Sequence, residues 1–212
     1  MSKDLSQYRD KYLKGELNEN DLPENPFVLF TKWFNEIEKY GSEREPNAMS
    51  LSTVSSSSSP ITRIVLLKKF SELGFVFFTN YDSRKGKNIT NNPNVCLSFY
   101  WPSMERQVII QGIANKISEK DSNEYFNSRP ESSRVGAIIS DQSEVISSRK
   151  HIDDKLKNFN INNKNMTKPK NWGGYNVVPS SIEFWQGRDN RLHDRIIFFS
   201  ESKVWKFNRL SP

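Results

Sequence analysis

The chain has 212 residues, of which 35% are hydrophobic, so it is long enough to bury the core of one domain. Its 31 basic and 25 acidic residues give a formal net charge of +6, which suits a nucleic-acid-binding module or an enzyme that holds phosphorylated small molecules. A single cysteine excludes an internal disulfide and favours a reducing compartment, and with two histidines it leaves little for a protein-built zinc site.

Targeting and cofactor signals are sparse. The first residues, Met1–Lys14, are polar and lack the apolar core of a signal peptide. The apolar runs fall far short of the ~20 residues that a membrane helix needs. No phosphate-binding loop or dinucleotide fingerprint occurs in the sequence. We therefore expect a cytoplasmic protein with no membrane partner and no metal, and we expect Cys96, inside an apolar run, to be a buried small hydrophobe.

The chain opens with a polar segment, residues 1–24, which we expect to be a mobile N-terminal arm, while residues 25–212 are expected to form a single domain. A helix follows the arm, because Asn25 is a good N-cap and Pro26 suits the first helical position. Aromatic residues then recur at helical spacing until Gly41, which favours a helix end. This aromatic face predicts core packing.

From Ala48 onward the pattern is that of strands. Short β-rich runs separated by turn signals are Ala48–Val54, Ile61–Lys68, Phe75–Thr79, Val95–Trp101 and Gln107–Ile117. Consecutive strands without crossover helices predict a mainly β protein built on an antiparallel sheet or barrel, with peripheral helices. The low-complexity turn Ser55–Ser59 is expected to be a flexible tip without chemistry of its own.

Two further helices and a loop precede the last strands. Ser118–Arg129 is predicted to be a helix capped by Ser118 and stopped by Pro130. Ser147–Phe159 is predicted to be another helix, and Asn160–Asn171, rich in Asn and Lys, a surface loop.

The segment Asp82–Lys85 is the first candidate phosphate site, because it opens a short helix predicted to run to about Asn92. A helix N-terminus presents free N–H groups and the positive end of the helix dipole. Arg84 and Lys85 oppose that dipole at a cost of roughly 0.3–1 kcal/mol each, unless an anion is bound there. The alternative is a pair of solvated surface charges.

A second candidate phosphate site follows the helix that ends before Pro130. Tyr125 and Arg129 are four residues apart and share a helix face. Pro130 forces the chain out of the helix, and Ser133 can cap the next one, predicted as Arg134–Ile139. A phenol, a guanidinium and a hydroxyl can then converge on one phosphate. The alternative is an ordinary helix–turn–helix with a surface arginine.

The strand Arg63–Lys68 is apolar inside and basic at both ends. Strict alternation places Arg63 and Lys68 on opposite faces. A single binding surface would then need a bulge, a ligand that passes the end of the strand, or a second subunit.

The densest chemistry lies near the C-terminus. Apolar runs at Tyr175–Val178 and Ile196–Phe199 flank a polar turn at Gln186–Asn190, which predicts two strands. Arg191, His193 and Arg195 would then share one face, which suits an anionic, planar ligand. The alternative is the solvated outer face of a hairpin.

These residues also carry a resemblance. The segments Glu183–Gly187 and Arg191–Arg195 resemble the C-terminal signature of the pyridoxamine 5′-phosphate oxidase family, and Arg209–Pro212 resembles that family's C-terminus. Arg9 and Tyr12, followed by Asp21–Pro23, resemble its N-terminal arm. The resemblance implies a homodimeric, FMN-binding split β-barrel with the flavin at the subunit interface. Departures are Phe78, where many members have Tyr, and Ile138, where Trp is common.

The resemblance also implies roles for particular residues. Those implied to contact FMN are Arg63, Ile64, Val65, Leu66, Leu67, Lys68, Phe78, Thr79, Arg84, Lys85, Gln107, Gln142, Ser143, Trp185 and Arg195. Those implied to bind the substrate are Arg9, Tyr12, Lys68, Tyr125, Arg129, Ser133, Arg191, Leu192 and His193, with Arg191 and His193 as the catalytic pair that orients the ring.

The activity that the resemblance implies is oxidation of pyridoxamine 5′-phosphate and pyridoxine 5′-phosphate to pyridoxal 5′-phosphate. Dioxygen would accept the electrons and yield hydrogen peroxide, and the amine would release ammonia. Alternatives are another split-barrel flavin oxidoreductase, such as a flavin reductase, and a non-catalytic carrier of pyridoxal phosphate. Nucleic acid is not an expected partner, because most aromatic residues lie in apolar runs rather than among clustered basic residues.

Overall fold

The computed structural model describes residues 1–162, 166–202 and 204–212. More of these residues lie in strands than in helices. The strands are β1 Ala48–Val54, β2 Pro60–Leu66, β3 Lys69–Ser71, β4 Gly74–Asn80, β5 Asn94–Trp101, β6 Arg106–Lys116, β7 Trp172–Gln186, β8 Asp194–Glu201 and β9 Val204–Leu210. The helices are α1 Pro26–Tyr40, α2 Arg84–Asn91, α3 Glu119–Ser128, α4 Glu131–Ile139 and α5 Arg149–Asn162. The predicted mainly β class is confirmed.

The strands pair in the order β2-β1-β5-β6-β7-β4-β3, and β8 pairs with both β7 and β9. The pairs β3–β4, β4–β7, β7–β8 and β8–β9 are antiparallel. By the clustering of its contacts the chain divides into two units. The first unit comprises residues 1–49, 97–111 and 180–212, and the second comprises residues 50–96 and 112–179.

Aromatic packing builds the core of the first unit. Helix α1 begins as predicted, because the Asn25 side chain accepts a hydrogen bond from the Phe27 N–H at 2.9 Å. The predicted aromatic face of α1 is buried: the Trp33 ring meets Phe184 edge-on at 5.2 Å, and Phe30 meets Phe99 at 5.4 Å. Edge-to-face contacts of this kind stabilise a core beyond the area that they bury.

In the second unit β4 pairs with the first half of β7, with Phe77 opposite Tyr175 in register. Their rings stack at 5.6 Å and both side chains are buried. Helix α2 follows β4 and begins after Ser83, whose hydroxyl oxygen accepts a hydrogen bond from the Gly86 N–H at 3.3 Å. The predicted helix start near Asp82–Lys85 is therefore confirmed, and β4 places it at the end of a buried strand.

Several predicted boundaries are wrong. Strand β2 ends at Leu66 rather than Lys68, because the Lys68 N–H donates to the Val76 carbonyl and the chain turns into β3, which was not predicted. Strand β9 was not predicted either. Helix α5 continues to Asn162 and so takes the first residues of the predicted loop, whose residues 163–165 lie outside the described part of the chain. Cys96 is half-buried rather than buried.

The described residues show neither a membrane-spanning helix nor a metal-binding cluster. None of their helices is long and apolar enough to cross a membrane. The same residues contain no cluster of three or more His, Cys, Asp or Glu side chains that could hold a metal ion.

Candidate functional site

A pocket of about 730 Å³ lies in the second unit, lined by residues of β2, β4, α2, α3 and α4. Its volume suits a cofactor or a drug-sized ligand. Four lining residues are cationic, and none of the lining residues that the structure describes is acidic. The pocket gathers most of the predicted flavin contacts of this unit, namely Arg63, Ile64, Val65, Leu66, Lys68, Phe78, Thr79, Lys85 and Gln142. It also gathers the predicted substrate-phosphate residues Lys68, Tyr125, Arg129 and Ser133.

Lys85 is the most deeply buried cation of this pocket, with 8% of its surface exposed. Its Nζ donates to the Gln142 side-chain oxygen at 2.8 Å and to the Ser83 hydroxyl at 3.3 Å. Thr79 donates its hydroxyl to the same Gln142 oxygen at 3.2 Å. Burial, with a smaller contribution from the positive charge of Arg63, lowers the pKa of Lys85 to about 8. An anion bound here would relieve that penalty.

Arg63 strengthens the positive field at the same end of the pocket. Its Nη1 donates to the Leu51 carbonyl and to the Thr53 hydroxyl, both at 2.9 Å. Burial lowers the pKa of Arg63, and the neighbouring Arg84 lowers it further. Arg63, Arg84 and Lys85 therefore repel one another, which suits a phosphate shared between them.

Arg129 lies at the α3–α4 side of the pocket, with its guanidinium 4.8 Å from the centre of the Trp172 ring. Its Nη1 is buried and makes no hydrogen bond to any residue that the structure describes. Burial lowers the pKa of Arg129. Because an unpaired buried donor costs about 1–3 kcal/mol, this nitrogen is well suited to an anionic oxygen supplied by a ligand. The orphaned donor fits a phosphate-bearing group.

Aromatic rings form one wall of the pocket. Phe78 stacks on Tyr125 with ring centres 3.8 Å apart and planes 23° apart. Trp172 lies nearly parallel to both rings, 5.5 Å from Phe78 and 6.2 Å from Tyr125. Trp172 was not predicted as a site residue. The feature of the sequence that could have indicated it is its position at the start of a strand, directly after an Asn-rich loop. A flat apolar wall beside cations suits a planar, charged ligand.

The structure corrects the predicted role of Ser133. Helix α4 begins at Glu131, not Arg134, and Pro130 occupies its N-cap without a side-chain bond. The fixed φ of proline, −51° here, allows the helix to start at once. Ser133 is therefore inside the first turn rather than a cap, and it lines the pocket.

The predicted opposition of Arg63 and Lys68 is also wrong. Both residues line this one pocket, because β2 ends at Leu66 and Lys68 no longer follows the alternation of the strand. Leu67 is buried, with 4% of its surface exposed, and does not line the pocket. The need for a bulge or a second subunit that we inferred from alternation does not arise from these two residues.

A second group of predicted residues meets in the first unit. The rings of Trp185 and His193 lie 4.7 Å apart, and the Tyr12 ring lies 5.8 Å from Trp185 and 5.5 Å from His193. The Arg191 guanidinium lies 5.5 Å from the centre of the Tyr12 ring. We call these four residues the ring-binding cluster. Three aromatic rings and a cation suit a planar ligand that carries negative charge.

His193 is fixed in one tautomer. Its Nδ1 accepts a hydrogen bond from the Arg188 backbone N–H at 3.1 Å, so Nε2 carries the ring proton. Burial and the positive charge of Arg191 lower the pKa of His193, while Asp194 opposes this shift. At neutral pH the imidazole is therefore a neutral donor at Nε2.

The predicted strand from Arg191 onward is wrong. Residues Asp189–Arg191 form a 3₁₀ turn, with φ of 55° at Asn190 and 64° at Arg191, and β8 begins only at Asp194. A turn, not strand alternation, thus presents Arg191 and His193, and Leu192 is 69% exposed.

The remaining predicted residues lie outside both groups. Arg195 pairs across the β7–β8 ladder with Glu183, its Nε 2.8 Å from the carboxylate, and this hydrogen bond raises the pKa of Arg195. Gln107 donates to the Ser98 hydroxyl at 3.0 Å. Arg84 is exposed at the start of α2, and Ser143 is exposed with φ of 78°. Arg9 lines a groove of about 770 Å³, formed by residues 5–12 and 188–191.

Comparisons with known proteins cover nearly the whole chain. The family profile described as "Pyridoxamine 5'-phosphate oxidase" matches residues 38–162, and the one described as "Pyridoxine 5'-phosphate oxidase C-terminal dimerisation region" matches residues 172–212. A pyridoxine/pyridoxamine 5′-phosphate oxidase of Flavobacterium psychrophilum is 54% identical, over 99% of this chain and 100% of its own. Its counterpart from Flavobacterium johnsoniae is 55% identical, over 98% of this chain and 99% of its own.

Among solved structures, PhzG from Burkholderia lata in complex with tetrahydrophenazine-1-carboxylic acid aligns with a TM-score of 0.85 and 25% identity, over 91% of this chain and 95% of its own. A pyridoxamine 5′-phosphate oxidase-related, FMN-binding protein from Nostoc punctiforme aligns with a TM-score of 0.69 and 15% identity, over 90% and 98%. These likenesses place the fold in the antiparallel split-barrel class, as predicted. The chain belongs to the pyridoxamine 5′-phosphate oxidase family.

Proposed function

We propose that this protein oxidises pyridoxamine 5′-phosphate and pyridoxine 5′-phosphate to pyridoxal 5′-phosphate in the cytoplasm, with FMN as cofactor. Dioxygen takes the electrons and leaves as hydrogen peroxide, and the amine substrate also releases ammonia. Family membership and the names of the relatives support this proposal. The observation that carries it is the pocket with four cations and no acidic group among its described lining residues, which suits two phosphates.

FMN would supply the acceptor for the hydride that leaves the exocyclic carbon of the substrate. Arg63, Arg84 and Lys85 would hold its phosphate, as their mutual repulsion without an anion supports. Gln142, which already accepts from Lys85 and Thr79, would keep the Lys85 ammonium directed into the pocket. The remaining flavin contacts are those that the family resemblance implies.

The substrate phosphate would bind Arg129, together with Lys68, Tyr125 and Ser133. The buried Arg129 Nη1, which lacks a partner among the described residues, supports this assignment. The positive charge of this guanidinium would be neutralised by a negative charge of the phosphate. The planar guanidinium can also bind two phosphate oxygens at once.

The ring-binding cluster would orient the pyridine ring of the substrate. Neutral His193 would donate a hydrogen bond from Nε2 to an acceptor on the ring, and Arg191 would face its negatively charged oxygen. The Tyr12 ring would cover the ligand from the arm. Such positioning accelerates a reaction by holding the reacting carbon in place, so Arg191 and His193 act through geometry and charge.

We also propose that the active form is a homodimer. The match of residues 172–212 to a region described as a dimerisation region supports this. A second subunit would complete each site, as the family resemblance implies.

Purified protein tests the proposal directly. It should be yellow, the released pigment should be the mononucleotide, and pyridoxamine 5′-phosphate should elicit hydrogen peroxide and pyridoxal 5′-phosphate in equal amounts. Unphosphorylated pyridoxamine serves as the matched control, because it lacks the group that Arg129 would bind. A colourless protein that ignores added flavin would overturn the proposal. A yellow protein that binds pyridoxal phosphate without releasing peroxide would indicate a carrier instead.

A further inference from the structure

The base of the N-terminal arm is fastened to the rest of the first unit through its backbone. The Lys14 N–H donates to the Glu105 carboxylate at 2.9 Å. The Leu17 N–H donates to the Asp194 carboxylate at 3.0 Å, and the Leu17 carbonyl accepts from Arg209 Nη2 at 2.7 Å. Leu17 itself is only 5% exposed. Backbone bonds of this kind fix where the chain runs, whatever side chains it carries.

Asp194 lies at the centre of this attachment. One carboxylate oxygen accepts from Leu17 N and from Arg188 Nη1, both at 3.0 Å, and the other accepts from Arg209 Nη1 at 2.7 Å. The side chain is 15% exposed, so water screens these bonds only in part. Asp194 thus joins the arm to strand β9 and to Arg188, the residue that precedes the 3₁₀ turn. We call Asp194, Arg188 and Arg209 the arm anchor.

Acidic residues on the arm complete the network. Glu16 accepts from Arg188 at 3.1 Å, and the two carboxylate oxygens of Glu19 accept from Arg209 Nε and Nη2, the latter at 2.8 Å. The hydrogen bond from Arg209 lowers the pKa of Glu19 to about 2. A bidentate pair holds its two partners in one orientation.

The arm anchor also reaches the ring-binding cluster. Tyr12, five residues before Leu17, contacts Trp185 and His193. Gly187 makes room for it, since a Cβ at Gly187 would lie 2.9 Å from the Tyr12 Cβ and Cγ. Arg188 contributes twice: its guanidinium binds Asp194, and its backbone N–H fixes the His193 tautomer.

We propose that Asp194 is a positioning residue, which sets the place of Tyr12 over the ring-binding cluster by fixing the arm at Leu17. It lies outside the ring-binding cluster and acts on the place of Tyr12 through the arm. The kinetic consequence rests on the proposed function, because Tyr12 matters for turnover only if the cluster binds the substrate ring. The structural consequence, a fixed arm base, does not depend on it.

Asp194→Asn is the first test, because the amide keeps the shape of the side chain but loses the charge and one acceptor. The KM for pyridoxamine 5′-phosphate should rise about tenfold while kcat stays within about twofold and the flavin content is unchanged. Trypsin should cut the flavin-loaded protein after Lys11 or Lys14 faster than in the wild type. Glu201→Gln is the matched control, since Glu201 lies on the same strand and its ion-pair partner among the described residues is the exposed Lys206. This control variant should change neither the KM for pyridoxamine 5′-phosphate nor the rate of trypsin cleavage.

A double substitution separates positioning from a merely structural effect. In a Tyr12→Ala background, Asp194→Asn should raise KM by less than about twofold more, because Tyr12, the arm residue of the ring-binding cluster, is no longer there to be placed. A full tenfold effect in that background would overturn the proposal. Unchanged trypsin cleavage of Asp194→Asn would overturn it as well, even if the protein proved to have no oxidase activity. Should Asp194→Asn fail to fold, Arg209→Gln, which removes the bonds to Leu17 and Asp194, must give the same pattern.

Discussion

Replacing Arg129 by methionine should separate substrate recognition from stability. Arg129 Nη1 is buried without a partner among the described residues, and its guanidinium rests on Trp172 at 4.8 Å. Methionine keeps an unbranched apolar chain over that ring but removes the charge and the donors. Under the proposed function, this loss should weaken only the binding of the substrate phosphate.

The expected magnitudes follow from these contacts. A charge-assisted bond contributes about 1.5–3 kcal/mol, so the KM for pyridoxamine 5′-phosphate should rise about 10-fold to 150-fold. Without ligand, the variant loses a cation–π contact of about 0.5–2 kcal/mol but also loses an unpaired buried donor that costs about 1–3 kcal/mol. The two effects nearly cancel. The Tm of the ligand-free protein should therefore stay within a few degrees of the wild type.

Steady-state peroxide release with pyridoxamine 5′-phosphate and with pyridoxamine is the assay. The kcat/KM for pyridoxamine 5′-phosphate divided by that for pyridoxamine should fall by the factor that Arg129 contributes to phosphate binding. Pyridoxamine has no phosphate for Arg129 to bind, so its own kcat/KM should not change. Lys120→Met is the matched control, since Lys120 is an exposed cation on the same helix α3. If Arg129→Met instead loses its flavin and keeps its KM, the two phosphate sites have been assigned the wrong way round.

Three further predictions concern the proposed FMN phosphate site at Arg84 and Lys85 and the proposed homodimer. Because the pKa of Lys85 is lowered to about 8, FMN affinity should weaken as the pH rises through that value, and Lys85→Arg should abolish the inflection in a fluorescence titration. In flavin-free protein the free energy of unfolding should rise from pH 8 towards 10.5, because Lys85 loses its proton in the native state while the unfolded chain still binds it. Urea denaturation at several pH values measures whether the free energy of unfolding rises in this range. Arg84→Ala with Lys85→Ala, and Arg191→Ala, should each be inactive, yet mixed dimers should regain up to one working site of two. No recovery despite proven subunit exchange would show that one subunit supplies both groups to each site.

Local rules predicted the elements whose ends are set by local chemistry. Asn25, Ser83 and Ser118 each cap a helix with their own side chain, and the sequence predicted all three starts. The errors fall where a distant segment decides. Lys68 leaves its strand because its N–H pairs with Val76 of β4, a partner that alternation cannot reveal. The succession of short strand-like runs predicted the mainly β class, but it could not predict the order in which the strands pair.

The site was predicted more completely as a list of residues than as geometry. The resemblance named all four cations of the pocket, yet the alternation rule separated Arg63 from Lys68 and Ser133 was expected as a cap. Trp172 and Arg188 were missed, because each acts through another residue: one lies under Arg129, and the other holds His193 through a backbone N–H. Such roles depend on contacts across the fold and leave little trace in spacing.

The 3₁₀ turn gives a physical explanation for the close spacing of functional residues in the C-terminal signature. A strand sends successive side chains to opposite faces, so it offers the residues of this signature only two directions. The 3₁₀ turn, with positive φ at Asn190 and Arg191, releases the chain from that limit. Arg191 and His193 can then face the Tyr12 ring, Asp194 can bind the arm, and Arg195 can pair with Glu183 within five residues. Because non-glycine residues adopt positive φ at a cost, the surrounding bonds must sustain this conformation, and the Arg188–Asp194 hydrogen bond, which spans the turn, is one of them. Ring recognition and attachment of the arm are thus coupled through one short turn.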